Sequence, residues 1–169
     1  MAKYEDLRGN DESLLAVTGR AWVFGDQVTG QQVLPTAHLE QPPAVASPYA
    51  MAQLDPWFAR RVQAGDFIVA GSGFAADATH HNVAAVLKVL GIGAVIARSF
   101  GLSFLRNAIH IGLPPLVVEE TAAIRTGDRL RVDIEAHIVA NLSSGDRYVI
   151  RNIDDDALAI LRRRVISNQ

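Results

Sequence analysis

The stretch DFIVAGSGFAADATHHNVAAVLKVLGIGAVIA, residues 66–97, decides the fold. The run that ends at Gly71 is short and almost wholly apolar, which is typical of a buried central strand. Four apolar residues then recur at the i, i+3, i+4 and i+7 spacing of a helix that packs one face on a sheet: Val83, Val86, Leu87 and Leu90. Gly91 ends this helix, and residues 94–97 predict a second buried strand.

The same pattern continues on both sides of this stretch. After it, residues 102–112, LSFLRNAIHIG, predict a helix that ends at Gly112. The order of strand, helix, strand and helix predicts a parallel βαβ core with right-handed crossovers. Before it, residues 20–24, RAWVF, alternate like a strand and stop at the turn pair Gly25-Asp26.

Two segments connect these elements. Residues 41–48, QPPAVASP, contain three prolines and are expected to form a surface connection or a mobile loop. Asp55 is expected to cap a short helix that has Pro56 at its first position, runs through WFARRVQ and is ended by Gly65.

The C-terminal part of the chain follows a different pattern. Residues 129–150 alternate in short runs around residues 144–146, Ser-Gly-Asp, which predicts antiparallel strands and a hairpin. Residues 154–164 place acidic residues first and arginines last, the arrangement that a helix dipole favours. The fold class is therefore mixed α/β with a parallel core and an antiparallel addition, and we expect residues 1–169 to form a single domain.

Composition disfavours several classes of function. The 169 residues are 49% hydrophobic and carry a formal net charge of −2, which gives no field that would gather nucleic acid or an anionic membrane. The chain has no cysteine, so it forms no disulfide and ligates no iron–sulfur cluster by thiolate. Residues 1–15 carry acidic side chains and no continuous apolar segment, so no signal peptide is expected. No run reaches the roughly 18 apolar residues of a membrane span. A cytoplasmic protein is expected.

The loop between the first buried strand and its helix is the principal candidate site. A strand that leads into a helix N-terminus aims free backbone N–H groups at one spot, where a carboxylate or phosphate can bind. Asp77 or Thr79 could cap that helix, and a cap with nothing bound is the simpler interpretation. His80 and His81 would lie in its first turn, where the neutral imidazole is favoured and a general base is conceivable. Adjacent helical side chains point about 100° apart, so joint metal binding is not expected, and surface histidines are the alternative.

Other candidates stand alone. Arg106 could bind a carboxylate or tie its helix to a neighbour. Three further histidines have no carboxylate or cysteine at metal-ligand spacing: His38, His110 and His137. No metal site is therefore expected on this chain.

Longer stretches resemble a known family. DPWFARRVQAGDFIVAGSGF (residues 55–74) and VLKVLGIGAVIARSFGLSFLRNAIHIGLPPLVVEE (residues 86–120) resemble the small subunit of isopropylmalate isomerase, the swivelling domain of the aconitase superfamily. GRAWVFGDQVTGQQVLPTAHL (residues 19–39) is similar to the family's opening G-x-x-x-x-F-G-D-N-I-D-T-D-x-I-x-P. Residues 125–150 resemble its C-terminal hairpin, so the resemblance covers nearly the whole chain.

The resemblance implies a fold, a partner and a chemistry. It implies a three-layer β/β/α swivelling domain that closes over a large subunit, whose three cysteines would hold a [4Fe–4S] cluster. The cluster would act as a Lewis acid on a substrate hydroxyl while a hydroxy-dicarboxylate is dehydrated and rehydrated. The absence of cysteine here agrees with that division of labour.

The chain departs from the family at the residues that carry the chemistry. Where the family reads N-F-G-x-G-S-S-R-E-H, residues 73–82 read GFAADATHHN. The catalytic serine therefore aligns with Ala78 and the carboxylate-binding arginine with His80. Thr79 replaces the second serine, His81 replaces the glutamate and Asn82 replaces the histidine. The D-T-D motif is replaced by Thr29-Gly30-Gln31.

Two hypotheses follow from these departures. In the first, the chain is a divergent hydro-lyase or isomerase subunit in which His80 or His81 is the base and Thr79 helps the helix N-terminus to hold the substrate carboxylate. The further residues expected to contact substrate are Asp77, Thr29, Gln31 and Arg106. In the second, the chain is a non-catalytic structural or regulatory relative, because histidine substitutes poorly for a bidentate arginine. The family's specificity loop corresponds to residues 36–49, whose prolines and alanines hint at a substrate with a hydrocarbon side chain.

Overall fold

Residues 15–167 are described by a computed structural model. Seven strands of this part of the chain form one sheet: β1 (Ala16–Val23), β2 (Phe67–Val69), β3 (Ala94–Ala97), β4 (Pro115–Val117), β5 (Arg129–Asp133), β6 (Ile138–Asn141) and β7 (Arg147–Val149). The α-helices are α1 (Gly30–Val33), α2 (Pro43–Ala46), α3 (Phe58–Arg61), α4 (Asn82–Val89), α5 (Leu102–Ile111) and α6 (Asp155–Ser167), and short 3₁₀ turns span Thr36–His38, Ser47–Tyr49 and Thr121–Ala123. The expectation of no signal peptide falls on residues that, apart from Leu15, lie outside the described part.

The sheet has a parallel half and an antiparallel half that share one strand. Its order is β4-β3-β2-β1-β5-β6-β7. The first part of β1, up to Arg20, pairs antiparallel with β5, whereas Ala21 to Val23 pair in parallel with β2. β2, β3 and β4 continue the parallel half, and α4 and α5 connect them. The predicted parallel βαβ core with an antiparallel C-terminal addition is confirmed.

The buried strand β2 serves two hydrophobic cores. Phe67 and Val69 point into a core that also contains Leu130 and Val139 from the antiparallel half, so the curled sheet packs on itself there. Ile68 points to the opposite face, into a core with Leu87 of α4. Alternate residues of a strand face opposite sides of a sheet, which is how three apolar residues in a row build a β/β/α arrangement of layers.

The two helices of the parallel half begin and end much as their sequences predict. α4 buries Val86 and Leu87 and is followed by Gly91 at φ +88°, and α5 ends at Gly112 in the left-handed conformation. Lys88 of α4 donates from Nζ to the carbonyl of Gly112 at 3.0 Å. This bond satisfies a carbonyl at the end of α5 and joins the helices, while burial lowers the pKa of the lysine.

Several local predictions are wrong. Residues 41–48 are not a loop, because α2 and a 3₁₀ turn form there and bury Ala46 and Ser47. The short helix predicted from Asp55-Pro56 begins only at Phe58 and ends at Arg61, although the Asp55 carboxylate does accept the N–H of Trp57 at 2.9 Å. Each of these helices has four residues, which is about one turn.

The predicted hairpin at the C-terminal end is part of a larger arrangement. β6 and β7 form it around Gly145, whose φ of +84° meets the requirement of the turn. A second hairpin, between β5 and β6, places His137 at φ +57°, and nothing in its sequence signals a turn glycine. The short edge strand β4 was also not predicted, because Pro115 begins it directly after the glycine and proline that end α5. Within residues 15–167, every helix falls short of what a membrane span requires.

Asp66 holds together the place where β1 exchanges one partner for another. This buried carboxylate accepts the backbone N–H of Arg20 at 3.1 Å, the indole N–H of Trp22 at 3.0 Å and the backbone N–H of Gln63 at 2.9 Å. Gly19 packs there against the backbone of Gly65 so closely that a Cβ atom could not fit. One side chain therefore fixes β1, the start of β2 and the preceding turn.

Replacing Asp66 by alanine is expected to lower the free energy of unfolding by about 3 kcal/mol or more, because three donors lose a charged, buried acceptor. The control is Asp55→Ala, which removes one partly exposed bond and is expected to cost about 1 kcal/mol. Urea denaturation followed by circular dichroism measures both values. Equal losses for the two variants would contradict this role of Asp66.

Candidate active site

The candidate site lies where the loops that follow β1 and β2 meet. These strands are parallel neighbours, so their carboxyl ends lie at the same edge of the sheet, the usual position for ligands in α/β folds. Backbone hydrogen bonds join the two loops: Gly71 N–H to Gly25 O at 3.1 Å, Gln27 N–H to Ser72 O at 2.8 Å and Ala75 N–H to Val28 O at 2.7 Å. The loop of residues 71–81 is thus held in place by its neighbour.

Ala75 carries strain within this loop. Its φ is +51°, a left-handed conformation that costs a residue with a Cβ atom about 1–2 kcal/mol, and it is fully buried. The family motif has glycine at this position, which adopts that conformation freely. This loop therefore has an alanine in a left-handed conformation where the family motif has the residue that favours it.

A cleft of about 210 Å³ opens at this edge. It is lined by Gly30, Gln31, Leu34, Thr36, Leu39, Asp77, Ala78, Thr79, His80 and Val83. Four of the seven predicted site residues are thus brought together: Gln31, Asp77, Thr79 and His80. The lining does not include the other three, Thr29, His81 and Arg106.

Thr29 and Asp77 both stabilise α1. The Thr29 hydroxyl accepts the N–H of Gln32 at 3.1 Å, and the Gln32 side chain accepts the N–H of Thr29 at 2.9 Å, which is a capping box. The Asp77 carboxylate accepts the N–H of Gly30 at 2.9 Å. The prediction that Asp77 or Thr79 caps the following helix is wrong, since α4 has no side-chain cap and Asp77 serves α1 instead.

The two adjacent histidines do not lie in a helical turn as predicted. α4 begins at Asn82, so His81 is the residue before the helix and His80 belongs to the loop. Their rings stack with centroids 4.5 Å apart and planes 22° from parallel, instead of diverging by the expected angle. The argument against joint metal binding assumed that the two side chains diverge, and that assumption is wrong. Among residues 15–167, however, no three His, Cys, Asp or Glu side chains gather as a metal site.

Both nitrogens of His80 have neighbours. Nδ1 accepts the backbone N–H of Asn82 at 3.1 Å, which places the proton of the neutral ring on Nε2. Nε2 lies 3.5 Å from Oε1 of Glu40. The side chain of His80 is 23% exposed whereas that of Glu40 is 88% exposed, so this pair is worth little by itself. His80 thus presents a hydrogen-bond donor, and its acceptor nitrogen is occupied.

Asn82 is a site residue that sequence reasoning did not select. Its side chain is buried, and its amide nitrogen donates to the carbonyls of Leu39 and Gln41, both at 2.9 Å. These residues belong to the strap, residues 36–49, which replaces the mobile loop expected there. Its position at the family's motif histidine was the available signal.

Gly30 and Ala78 meet on the floor of the cleft. A Cβ atom placed on Gly30 would lie 2.8 Å from the Cβ atom of Ala78. The family has threonine and serine at these two positions, so two small residues here face each other in place of two hydroxyl groups. Arg106 is exposed on α5 and does not line the cleft.

Relatives of known name share most of the chain. No family model matches it. The 3-isopropylmalate dehydratase small subunit 1 of Thermotoga maritima is 33% identical over 154 residues, which cover 90% of this chain and 93% of the relative. The 3-isopropylmalate dehydratase small subunit of Pyrobaculum neutrophilum is 39% identical over 150 residues, or 88% and 92% of the two chains. The solved 3-isopropylmalate dehydratase (leuD) of Methanocaldococcus jannaschii superposes with a TM-score of 0.83 at 29% identity, covering 90% and 94%.

The contact between Gly30 and Ala78 can be tested by a pair of compensating changes. Gly30→Ala is expected to lower the free energy of unfolding by about 1–3 kcal/mol through overpacking, and adding Ala78→Gly is expected to recover most of the loss. Gly25→Ala, where an added Cβ meets nothing within 4 Å, is the control and should change stability by less than about 0.5 kcal/mol. Additive losses in the double variant, measured by urea denaturation, would show that the two residues do not press on each other.

Proposed function

The chain belongs to the family of 3-isopropylmalate dehydratase small subunits, and we propose that it is the small subunit of a divergent, cytoplasmic hydro-lyase. Together with a large iron–sulfur subunit it would dehydrate and rehydrate a hydroxy-dicarboxylate. The observation that carries this proposal is the position of His80, which stands where the family has its carboxylate-binding arginine and lines a cleft at the carboxyl edge of the sheet.

His80 is suited to binding a carboxylate. Because Nδ1 accepts a backbone N–H, the neutral ring can donate only from Nε2. That atom already faces a carboxylate, that of Glu40. Gln31 and Thr79, which also line the cleft, offer an amide and a hydroxyl as further donors. We assign to His80 the binding of one substrate carboxylate, with Gln31 and Thr79 in support.

His81 is then the candidate for proton transfer. It is exposed and its ring stacks on that of His80. Ala78, at the position of the family's serine, has no proton to exchange. A neutral imidazole can accept a proton and return it, so it can take over that exchange if the large subunit brings substrate against it.

The iron–sulfur cluster belongs to the partner in this proposal. This chain has no cysteine, and its described residues contain no cluster of metal-binding side chains, so it does not fit a [4Fe–4S] group. On the large subunit the cluster would be the Lewis acid for the substrate hydroxyl. This chain would supply carboxylate binding, proton transfer and one wall of the cleft.

The cleft favours a substrate with an apolar side chain. Leu34, Leu39 and Val83 line it together with the small residues Gly30 and Ala78, and no arginine or lysine of the described part of the chain does. A third carboxylate would have no cationic partner among these lining residues. A hydroxy-dicarboxylate with a hydrocarbon substituent therefore fits better than a tricarboxylate.

The two histidines are expected to differ in their kinetic effects. In the assembled enzyme, His81→Gln should lower kcat on the order of 10²–10⁴-fold, the usual contribution of a positioned general base. His80→Gln should chiefly raise KM, because it removes a contact made to bound substrate. Steady-state kinetics of the dehydration measure both, with His110→Gln on the exposed face of α5 as the control. If both variants keep near-wild-type kcat and KM, this assignment is wrong.

The chain by itself is expected to be inactive. Purified alone, it should be a folded, colourless protein without hydro-lyase activity, because the Lewis acid is on another polypeptide. Anaerobic purification from the native host should recover an iron–sulfur protein with it. Turnover of a hydroxy-dicarboxylate by the isolated chain would overturn the proposal.

One observation favours a non-catalytic relative as the second candidate. Gly30 and Ala78 fill the place of two hydroxyl-bearing residues, and the bidentate arginine is gone. The double variant Ala78→Ser with His80→Arg restores the family's residues at both positions. Activity that appears only in this variant of the assembled complex would show that the natural loop is a relic.

A further inference from the structure

The two N–H groups of the Asn82 side chain are both used to hold the strap. Asn82 is the first residue of α4 and is only 6% exposed. Its Nδ2 atom donates to Leu39 O and to Gln41 O, 2.9 Å each. These carbonyls flank Glu40, so the segment of residues 39–41 is fixed to the helix on both sides of that residue.

The same residue also fixes His80. The backbone N–H of Asn82 donates to Nδ1 of His80, and Nε2 of that ring faces Glu40. Leu39, whose carbonyl is held, contributes a wall of the cleft. Asn82 therefore orients both Leu39, which forms a wall of the cleft, and His80, which presents the hydrogen-bond donor.

We propose that Asn82 is a positioning residue that holds the strap closed against α4 and so sets the shape of the substrate cleft. The catalytic consequence rests on the proposed function, whereas the closed strap does not. Asn82 touches neither substrate nor a reacting atom in this role. Its loss should weaken substrate binding and leave proton transfer largely unchanged.

An aspartate at this position separates the hydrogen bonds from the packing. Asn82→Asp keeps the size of the side chain but replaces the NH₂ group, which carries both N–H donors, by one oxygen that faces two carbonyl oxygens. The strap should then open at neutral pH. Asn82→Ala also removes the donors but adds no charge, so its effect should be smaller.

Opening of the strap can be measured on the free full-length chain with a glutamate-specific protease. Cleavage after Glu40, identified by fragment mass, reports exposure of the held segment. We expect this cleavage to be on the order of 10- to 100-fold faster in Asn82→Asp than in the wild type. Asn107→Asp makes the same substitution on α5, away from the strap, and should leave the rate unchanged.

Lowering the pH should restore one hydrogen bond between residue 82 and the strap in the aspartate variant. Protonation at low pH gives the aspartate one O–H donor, so the excess cleavage of Asn82→Asp should fall as the pH is lowered. The other ionisable side chains near the strap are His38, Glu40, His80 and His81. Asn82→Ala contains all of them and is therefore the reference at each pH.

The outcomes are distinct. Cleavage after Glu40 that is unchanged in both Asn82 variants overturns the proposal, whatever the enzyme does. Faster cleavage supports it even if the wild-type complex proves inactive, in which case only the proposed function fails. If circular dichroism shows that Asn82→Asp does not fold, cleavage of Asn82→Ala decides.

In an active complex, Asn82→Ala should raise KM about tenfold or more and change kcat by less than about twofold. A loss confined to kcat would contradict the positioning role, because it would place Asn82 in the chemical step. The same measurement on Asn107→Asp gives the baseline for a change elsewhere on the surface.

Discussion

The carboxylate of Asp66 is the constraint on which the rest of the structure depends. It binds the backbone of β1 at Arg20, where this strand leaves its antiparallel neighbour β5 and begins to pair with β2. It also binds the indole of Trp22 and the turn before β2. Without an acceptor at this partly buried point, the three donors of the junction would lose their partner. The parallel half, the antiparallel half and the core between them are joined through this junction.

The candidate site is a consequence of that pairing. Once β1 and β2 lie side by side in parallel, the loops after them must emerge at one edge, and backbone hydrogen bonds hold them in register. The chain superposes on a solved relative with a TM-score of 0.83, although the residues of this loop differ from the family motif. Ala75 keeps a left-handed conformation that suits glycine, and Gly30 and Ala78 stand closely opposed where hydroxyl groups are usual. The fold that carries the site is thus more constrained than the side chains that would carry its chemistry.

Asn82 and the strap show how the cleft is completed. The strap has little core of its own beyond Ala46 and Ser47, and the bonds from Asn82 fix the segment nearest to His80. The proline-rich sequence forms a short helix here, and a buried amide from another element satisfies two carbonyls in the segment before it. Apolar side chains and an imidazole donor both line the resulting cleft.

The sequence by itself determined the parallel core, because the i, i+3, i+4 spacing in α4 and the apolar runs of β2 and β3 depend only on burial on one side or on both. Family resemblance located the loop that contains His80. Only the tertiary structure decided the partners of the polar side chains, since a carboxylate or amide binds whichever donor or acceptor the fold brings to it. Asp77 caps α1 instead of α4, Asn82 holds a segment more than forty residues earlier, and the two histidines stack because the helix begins after them.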